Sequence, residues 1–353
     1  MAGKGDRASE APESERKGMR AAWLIWAILA PTTAISQTGD PPRVAALVEQ
    51  PRVLTAAGRV SFDIPMFGSV GRTYCDAAGD MVFDVGSLSN DRGPFLRVQS
   101  DGRSHVIYSL PAEAQGWGNI APALTPGGVF YVLFENFRDY SLIRFKDDGS
   151  VDGTTSLQVP SGVNLLYLAV ADNQIVFARG YRTSHEVSDT PRAGFEALFD
   201  ASGRLVRDLS AMAPQFDKRA LQTGPLDGDV IAGEDGRFYI LDDKKVLALN
   251  QSGDVERELT LKKPSMEAHA VQVDFSKGLV SVIFHSVRRA SSNEPASVQV
   301  RAILLNSQTG EQRGDFVFDS SSTGSVLCFN AQDGYSTMAL SGGMAAKDIV
   351  PFR

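Results

Sequence analysis

A short turn recurs six times along this chain of 353 residues, at Gly-to-Gly spacings of 44 to 57. It reads AAGR at 56–59, SDGR at 100–103, DDGS at 147–150, ASGR at 201–204, QSGD at 251–254 and QTGE at 308–311. Each copy joins an apolar run to a second strand-like run, and five are followed by a proline (Pro65, Pro111, Pro160, Pro214, Pro264). A repeat of this length cannot bury its apolar faces alone and must stack on copies of itself.

A second set of turns interleaves with the first: DAAGD at 76–80, TPGG at 125–128, ADNQ at 171–174, GEDGR at 233–237, DFSKG at 274–278 and AQDGY at 331–335. Each is followed by a run rich in β-branched and aromatic residues, such as VFYVLF or LVSVIF. Gly, Asn and Asp tolerate the positive φ of tight hairpin turns, and the flanking residues suit buried strands. Each unit therefore reads strand a, tight turn, strand b, loop, strand c, tight turn, strand d. The period and content predict an all-β chain, a six-bladed β-propeller of four-stranded antiparallel blades over residues 46–353. The last unit, from Ser325, supplies strands a, b and a partial c around Asp348–Phe352. Residues 53–65 lack a preceding a–b pair, so the N-terminal strand is expected to complete the C-terminal blade and remove the free sheet edges.

Residues 21–30 read AAWLIWAILA behind Arg16, Lys17 and Arg20, with Ala34-Ile35-Ser36 offering small residues for cleavage before Gln37. That is the pattern of a secretory signal peptide over residues 1–36, and Met19 is a candidate true start; an uncleaved anchor is the other reading. Residues 37–45 form a linker. The expected location is periplasmic or extracellular, with no membrane span in the mature form. Net charge is −7, and about −8 without the leader. This charge argues against nucleic acid as a partner.

Cys75 and Cys328 are the two cysteines. Both fall in strand a, just before an a–b turn, of blades that closure makes neighbours. A disulfide and two buried thiols are both compatible with that placement.

The a–b and c–d turns are short and share one side of a propeller. The b–c and d–a loops share the other side and are irregular here, notably 86–94, 180–194, 213–228 and 285–295. Binding residues concentrate on long loops held by a rigid scaffold. Polar residues near the start of the inner strands are Arg72, Asn119, Asn164, Asp229, His269 and Ser325. They could converge at the channel mouth as a ligand site or simply line a solvated channel. Loop cations include Arg179, Arg182, His185, Arg288 and Arg289, suited to a carboxylate or phosphate. The four histidines, His105, His185, His269 and His285, show no HExxH or paired-His spacing, and there is no GxSxG elbow, phosphate-binding Gly loop or DxDxDG calcium loop.

The segments Tyr74–Phe83 and Glu234–Tyr239 carry a D-x-x-G or E-D-G turn followed by a hydrophobic strand. In this they resemble six-bladed propellers of the TolB-like and NHL-like kind, which implies the fold and no single activity. The expectation is an exported, non-enzymatic scaffold that binds a protein, peptide or glycan with its loop side and needs no cofactor. The alternative is a divalent-metal-dependent hydrolase similar to gluconolactonase-type propellers. Under it, the resemblance implies a cation held by Asn119, Asn164 and Asp229. The ligand Glu of that family has no counterpart, and Arg72 stands in its neighbourhood.

Overall fold

The structure is a computed structural model. It describes residues 52–54, 58–65, 73–84, 94–99, 105–114, 120–136, 139–183, 193–213, 229–242, 244–265, 268–288, 297–318, 325–331, 334–341 and 344–350. It is an all-β propeller of antiparallel blades. Two N-terminal strands, β1 (Arg52–Leu54) and β2 (Gly58–Pro65), precede the repeats. β3 (Thr73–Cys75), β4 (Met81–Asp84), β5 (Phe95–Val98) and β6 (His105–Tyr108) form one sheet in that order. The next is β7 (Ile120–Leu124), β8 (Phe130–Asn136), β9 (Asp139–Phe145) and β10 (Val151–Leu157). β11 (Val163–Val170), β12 (Val176–Arg182), β13 (Gly194–Phe199) and β14 (Leu205–Asp208) follow, then β15 (Val230–Ala232), β16 (Phe238–Asp242), β17 (Lys245–Leu249) and β18 (Val255–Thr260). The remaining repeats are β19 (Ala268–Ser276), β20 (Leu279–Arg288), β21 (Ser297–Asn306) and β22 (Gln312–Phe318), and β23 (Ser325–Asn330), β24 (Gly334–Ser341) and β25 (Met344–Val350).

Two expectations from the sequence need correction. Six four-stranded blades were expected; five sheets have four strands, and the β19–β22 sheet has a fifth, because β1 adds parallel to β22. Residues 53–65 were read as one unit completing the last blade. Only β2 does this, pairing antiparallel with β25 from Gly58↔Ile349 to Pro65↔Met344. The physical reason is vacancy. β25 is a full third strand, so a single outer position is open there, and β1 is left to cover the unpaired backbone of β22 instead.

The repeated glycines do two jobs. Gly149, Gly203, Gly253 and Gly310 all have φ between 70° and 86°, the left-handed region that other residues enter at a cost. At Gly149 and Gly203, a Cβ would also collide with the carbonyl oxygen of Ile107 and of Ser156, on the outer strand of the preceding blade. The Asx residues of the same turns are consumed locally. Asp200 Oδ1 accepts from the amides of Ser202 and Arg204 at 3.0 and 3.1 Å, and Asn250 Oδ1 from those of Ser252 and Asp254 at 2.9 Å.

Between blades the apolar faces interdigitate, for example Tyr131, Leu133, Leu165, Leu168, Phe195 and Phe199 in one cluster. Each seam also carries a specific clasp. Arg97 of β5 reaches Asp80 at 2.9 Å within its blade and the Gly128 carbonyl at 2.9 Å in the next. The buried Tyr140 hydroxyl donates to the Val163 carbonyl and accepts from the Leu165 amide, both at 3.1 Å. Arg179, expected from the sequence to be a loop cation, is instead fully buried in β12; it pairs with Glu196 at 3.0 Å and donates to the Leu241 carbonyl at 2.9 Å. Burial raises the Glu196 pKa, with Arg179 pulling the other way. Ser281 and Tyr335 hydroxyls meet at 2.9 Å. β23 lies against β3, and there the clasp is covalent: Cys75 and Cys328 form a disulfide with Cα atoms 5.8 Å apart, inside the usual limit for a bridge.

Candidate functional site

The two sides of the molecule differ in how their polar groups are used. On the turn side, carboxylates and amides satisfy one another. Asp172 of one turn accepts the Gly127 amide of the neighbouring turn at 2.8 Å, and Glu234 accepts the Lys277 amide. A cavity of about 300 Å³ lies on this side, bordered by Glu234, Asp235, Phe275, Lys277 and Ser307. Its acidic groups are engaged: Asp235 accepts the Tyr239 hydroxyl at 2.7 Å and pairs with Arg237 at 2.9 Å. We read it as a seam between blades, remote from the loop side.

On the loop side the structure brings together residues that the sequence lists separately. Asn164, at the start of β11, lies directly across from Tyr181 near the end of β12. Its Nδ2 donates to the Tyr181 hydroxyl at 2.9 Å. The pairing depends on a β-bulge between Leu165 and Tyr167 that shifts the register by one residue. A one-residue slip turns a side chain to the opposite face, so without the bulge these two would not meet. Gly180 permits it, because a Cβ there would strike the backbone carbonyl of Asn164. Arg182 is the next residue of β12. Its guanidinium sits 5.2 Å from the centre of the Phe195 ring and pairs with Asp208 at 3.2 Å. Both partners of that ion pair are about two-fifths exposed, so the pair contributes little to stability and remains accessible.

The same device appears in the β19–β22 blade. A bulge between Ala270 and Gln272 places His269 directly opposite His285. Sequence reasoning named His269 as a candidate site residue and passed over His285 and Tyr181 in that role. The available signal was the DFSKG turn, since Lys277 lies midway between the two histidines. The bulge, which decides the pairing, has no glycine or proline to announce it. His285 is half-buried, and burial lowers its pKa; His269 is exposed. The β20–β21 hairpin that carries His285 runs for ten rungs, from Leu279↔Asn306 to Arg288↔Ser297. β12–β13 pair over six rungs and β16–β17 over five. The β20–β21 pairing therefore exceeds these two by four rungs or more. At about 3.3 Å per residue that is roughly 13 Å.

Asp229 takes a different role from the expected ligand. It is 2% exposed. Its Oδ1 accepts the Val230 amide and its Oδ2 the Val273 amide, each at 2.9 Å. A short carboxylate just before β15, facing amides of its own strand and of β19, is used as a clasp between blades rather than as an open donor at a channel mouth. Arg72, Asn119 and His185 lie outside the described residues, as do residues 1–51. Arg288 ends β20, and Ser325 begins β23. Among the described residues, no group of three or more His, Cys, Asp or Glu is placed to hold a metal ion, and no helix is long and apolar enough to cross a membrane.

No family model and no curated protein matches the chain. Solved structures with a similar course of the backbone include a gluconolactonase from Xanthomonas campestris, 12% identical over 88% of this chain and 98% of that one, with a TM-score of 0.44. TolB from Acinetobacter baumannii is 11% identical over 81% of this chain and 64% of that one, TM-score 0.38. A further match is the WD40 domain of Pan2 from Neurospora crassa, 10% identical over 85% and 96%, TM-score 0.42. These are likenesses of the propeller fold, which hosts many functions, and none carries an activity to this chain.

Proposed function

We propose that the chain is an exported, non-enzymatic scaffold that recognises a protein, peptide or glycan with its loop side. The observation that carries this reading is the contrast between the two sides. The turn side spends its polar groups on itself, whereas the loop side bears an overlong hairpin and polar cross-strand pairs set by bulges. Arg182 lies over the buried Phe195 ring and keeps about two-fifths of its side chain exposed, a cation accessible to a partner's carboxylate or phosphate. Export is supported by the leader-like segment of residues 21–36 and by a disulfide, which persists in oxidising compartments.

The ring itself is part of the proposal. The sheets close into a ring, fastened by β2 on β25 and by the Cys75–Cys328 bridge. A rigid closed ring holds the loop-side groups at fixed separations, which reduces the ordering cost of binding. No cofactor is required. The test is a peptide and glycan array probed with the full chain and with two sets of variants. Arg182→Ala and Tyr181→Phe should weaken a hit by tenfold or more, while Asp148→Ala on the turn side should not. Metal-dependent turnover of a lactone or ester panel, lost in Asn164→Ala, would instead establish the hydrolase alternative.

A further inference from the structure

We propose that His269 and His285 form a binding site for one divalent transition-metal cation, such as Zn²⁺ or Ni²⁺, on the loop side of the β19–β22 blade. The two residues face each other across neighbouring strands. Directly opposed residues of an antiparallel pair project on the same face, with Cβ atoms about 4.5–5.5 Å apart. A cation about 2.0–2.1 Å from a nitrogen of each imidazole fits that spacing, and imidazole is a ligand of choice for zinc, copper and nickel.

The register makes the pairing specific. From Ser276↔Leu279 to Gln272↔Ile283 the hairpin runs in one register, and beyond the bulge it resumes one residue out of step. Continued without the bulge, His269 would face Ser286 and His285 would face Ala270. Bulges are found next to functional sites because they re-aim side chains. Bulges also occur in β11 and β23, so the inner strands use them for curvature as well. In β19 the same device yields two metal-ligating side chains on one rung.

The surroundings of His285 are apolar. His285 lies beyond Ile283 on its strand and across from Val300 of β21, and both are members of one buried apolar cluster. That burial disfavours the protonated ring. His269 is exposed, giving the cation a path in. Two protein ligands leave coordination positions for water or for a donor group of a bound partner. The proposal stands apart from the scaffold reading, since it needs no partner and is tested with the metal alone.

The experiment is a calorimetric titration of Zn²⁺, and separately Ni²⁺, into the untagged, EDTA-stripped full chain. One equivalent should saturate. His269→Ala should weaken binding by at least about tenfold, and so should His285→Gln. Arg182→Ala, on the next blade but one, should leave it unchanged. Because His269 is exposed, its replacement leaves the core intact, and circular dichroism confirms that each variant is folded. Absence of saturable binding up to millimolar metal would overturn the proposal. So would unchanged affinity in folded His269→Ala, which would place the cation on other residues.

Discussion

Removing the Cys75–Cys328 bridge should destabilise the protein more than any single change in its core. The two cysteines are 253 residues apart in sequence, so the bond closes most of the described chain into one loop. In the chain-entropy account, a loop of that length restricts the unfolded state by about 5 kcal/mol, the top of the usual range. At roughly 2 °C per kcal/mol for a chain of this size, that is about 10 °C in Tm. Cys75→Ser/Cys328→Ser should therefore melt about 10 °C below the parent in a slow thermal scan. A reductant should lower the parent by a similar amount and leave the double variant unmoved. A double variant within about 1 °C of the parent would refute the reasoning, because it would mean that the first and last blades are held together without the bridge.

Four further outcomes follow from the same contacts. Asp229→Ala strips partners from the buried amides of Val230 and Val273 and should cost about 1–3 kcal/mol in urea denaturation. Tyr140→Phe leaves the Val163 carbonyl and Leu165 amide without the hydroxyl and should cost a similar amount, roughly 1–3 kcal/mol. Gly180→Ala forces a Cβ into the Asn164 carbonyl and should cost about 1–3 kcal/mol by overpacking, with an altered Tyr181 ring resonance in NMR. The Asp200 carboxyl is held at about 2, chiefly by the Ser202 hydroxyl and also by the backbone amides of Ser202 and Arg204. Its folded value lies below the unfolded one, so its contribution is complete above about pH 4 and is lost as pH falls toward 2. Asp200→Asn should flatten the acid-side stability profile in that window, lowering stability at pH 7 and leaving it little changed at about pH 2.

What the sequence reveals here is governed by range. The turns are legible because Gly149, Gly203, Gly253 and Gly310 answer to local backbone geometry, and their spacing announces the blades. The placement of β1 is not legible, since Arg52–Leu54 pairs with β22 across more than 250 residues and carries no turn signal of its own. The site is half legible. Asn164 and His269 were accessible as polar residues at the heads of inner strands, but their partners Tyr181 and His285 depend on register. That register is set by bulges at Leu166 and Val271, branched apolar residues indistinguishable from strand interior. Asp229 misleads for a related reason: a polar residue at a strand start reads as open until the amide of Val273, on another blade, is seen to occupy it.

The most direct measurement of the central claim is site-specific photo-crosslinking in the cells that produce the protein. A photoreactive residue would replace Arg182 or His269 on the loop side, and Asp148 or Asp200 on the turn side. The scaffold account predicts one discrete adduct from both loop-side positions and none from the turn side. Adducts confined to the turn side would contradict it, and would move recognition to the face whose polar groups are already paired.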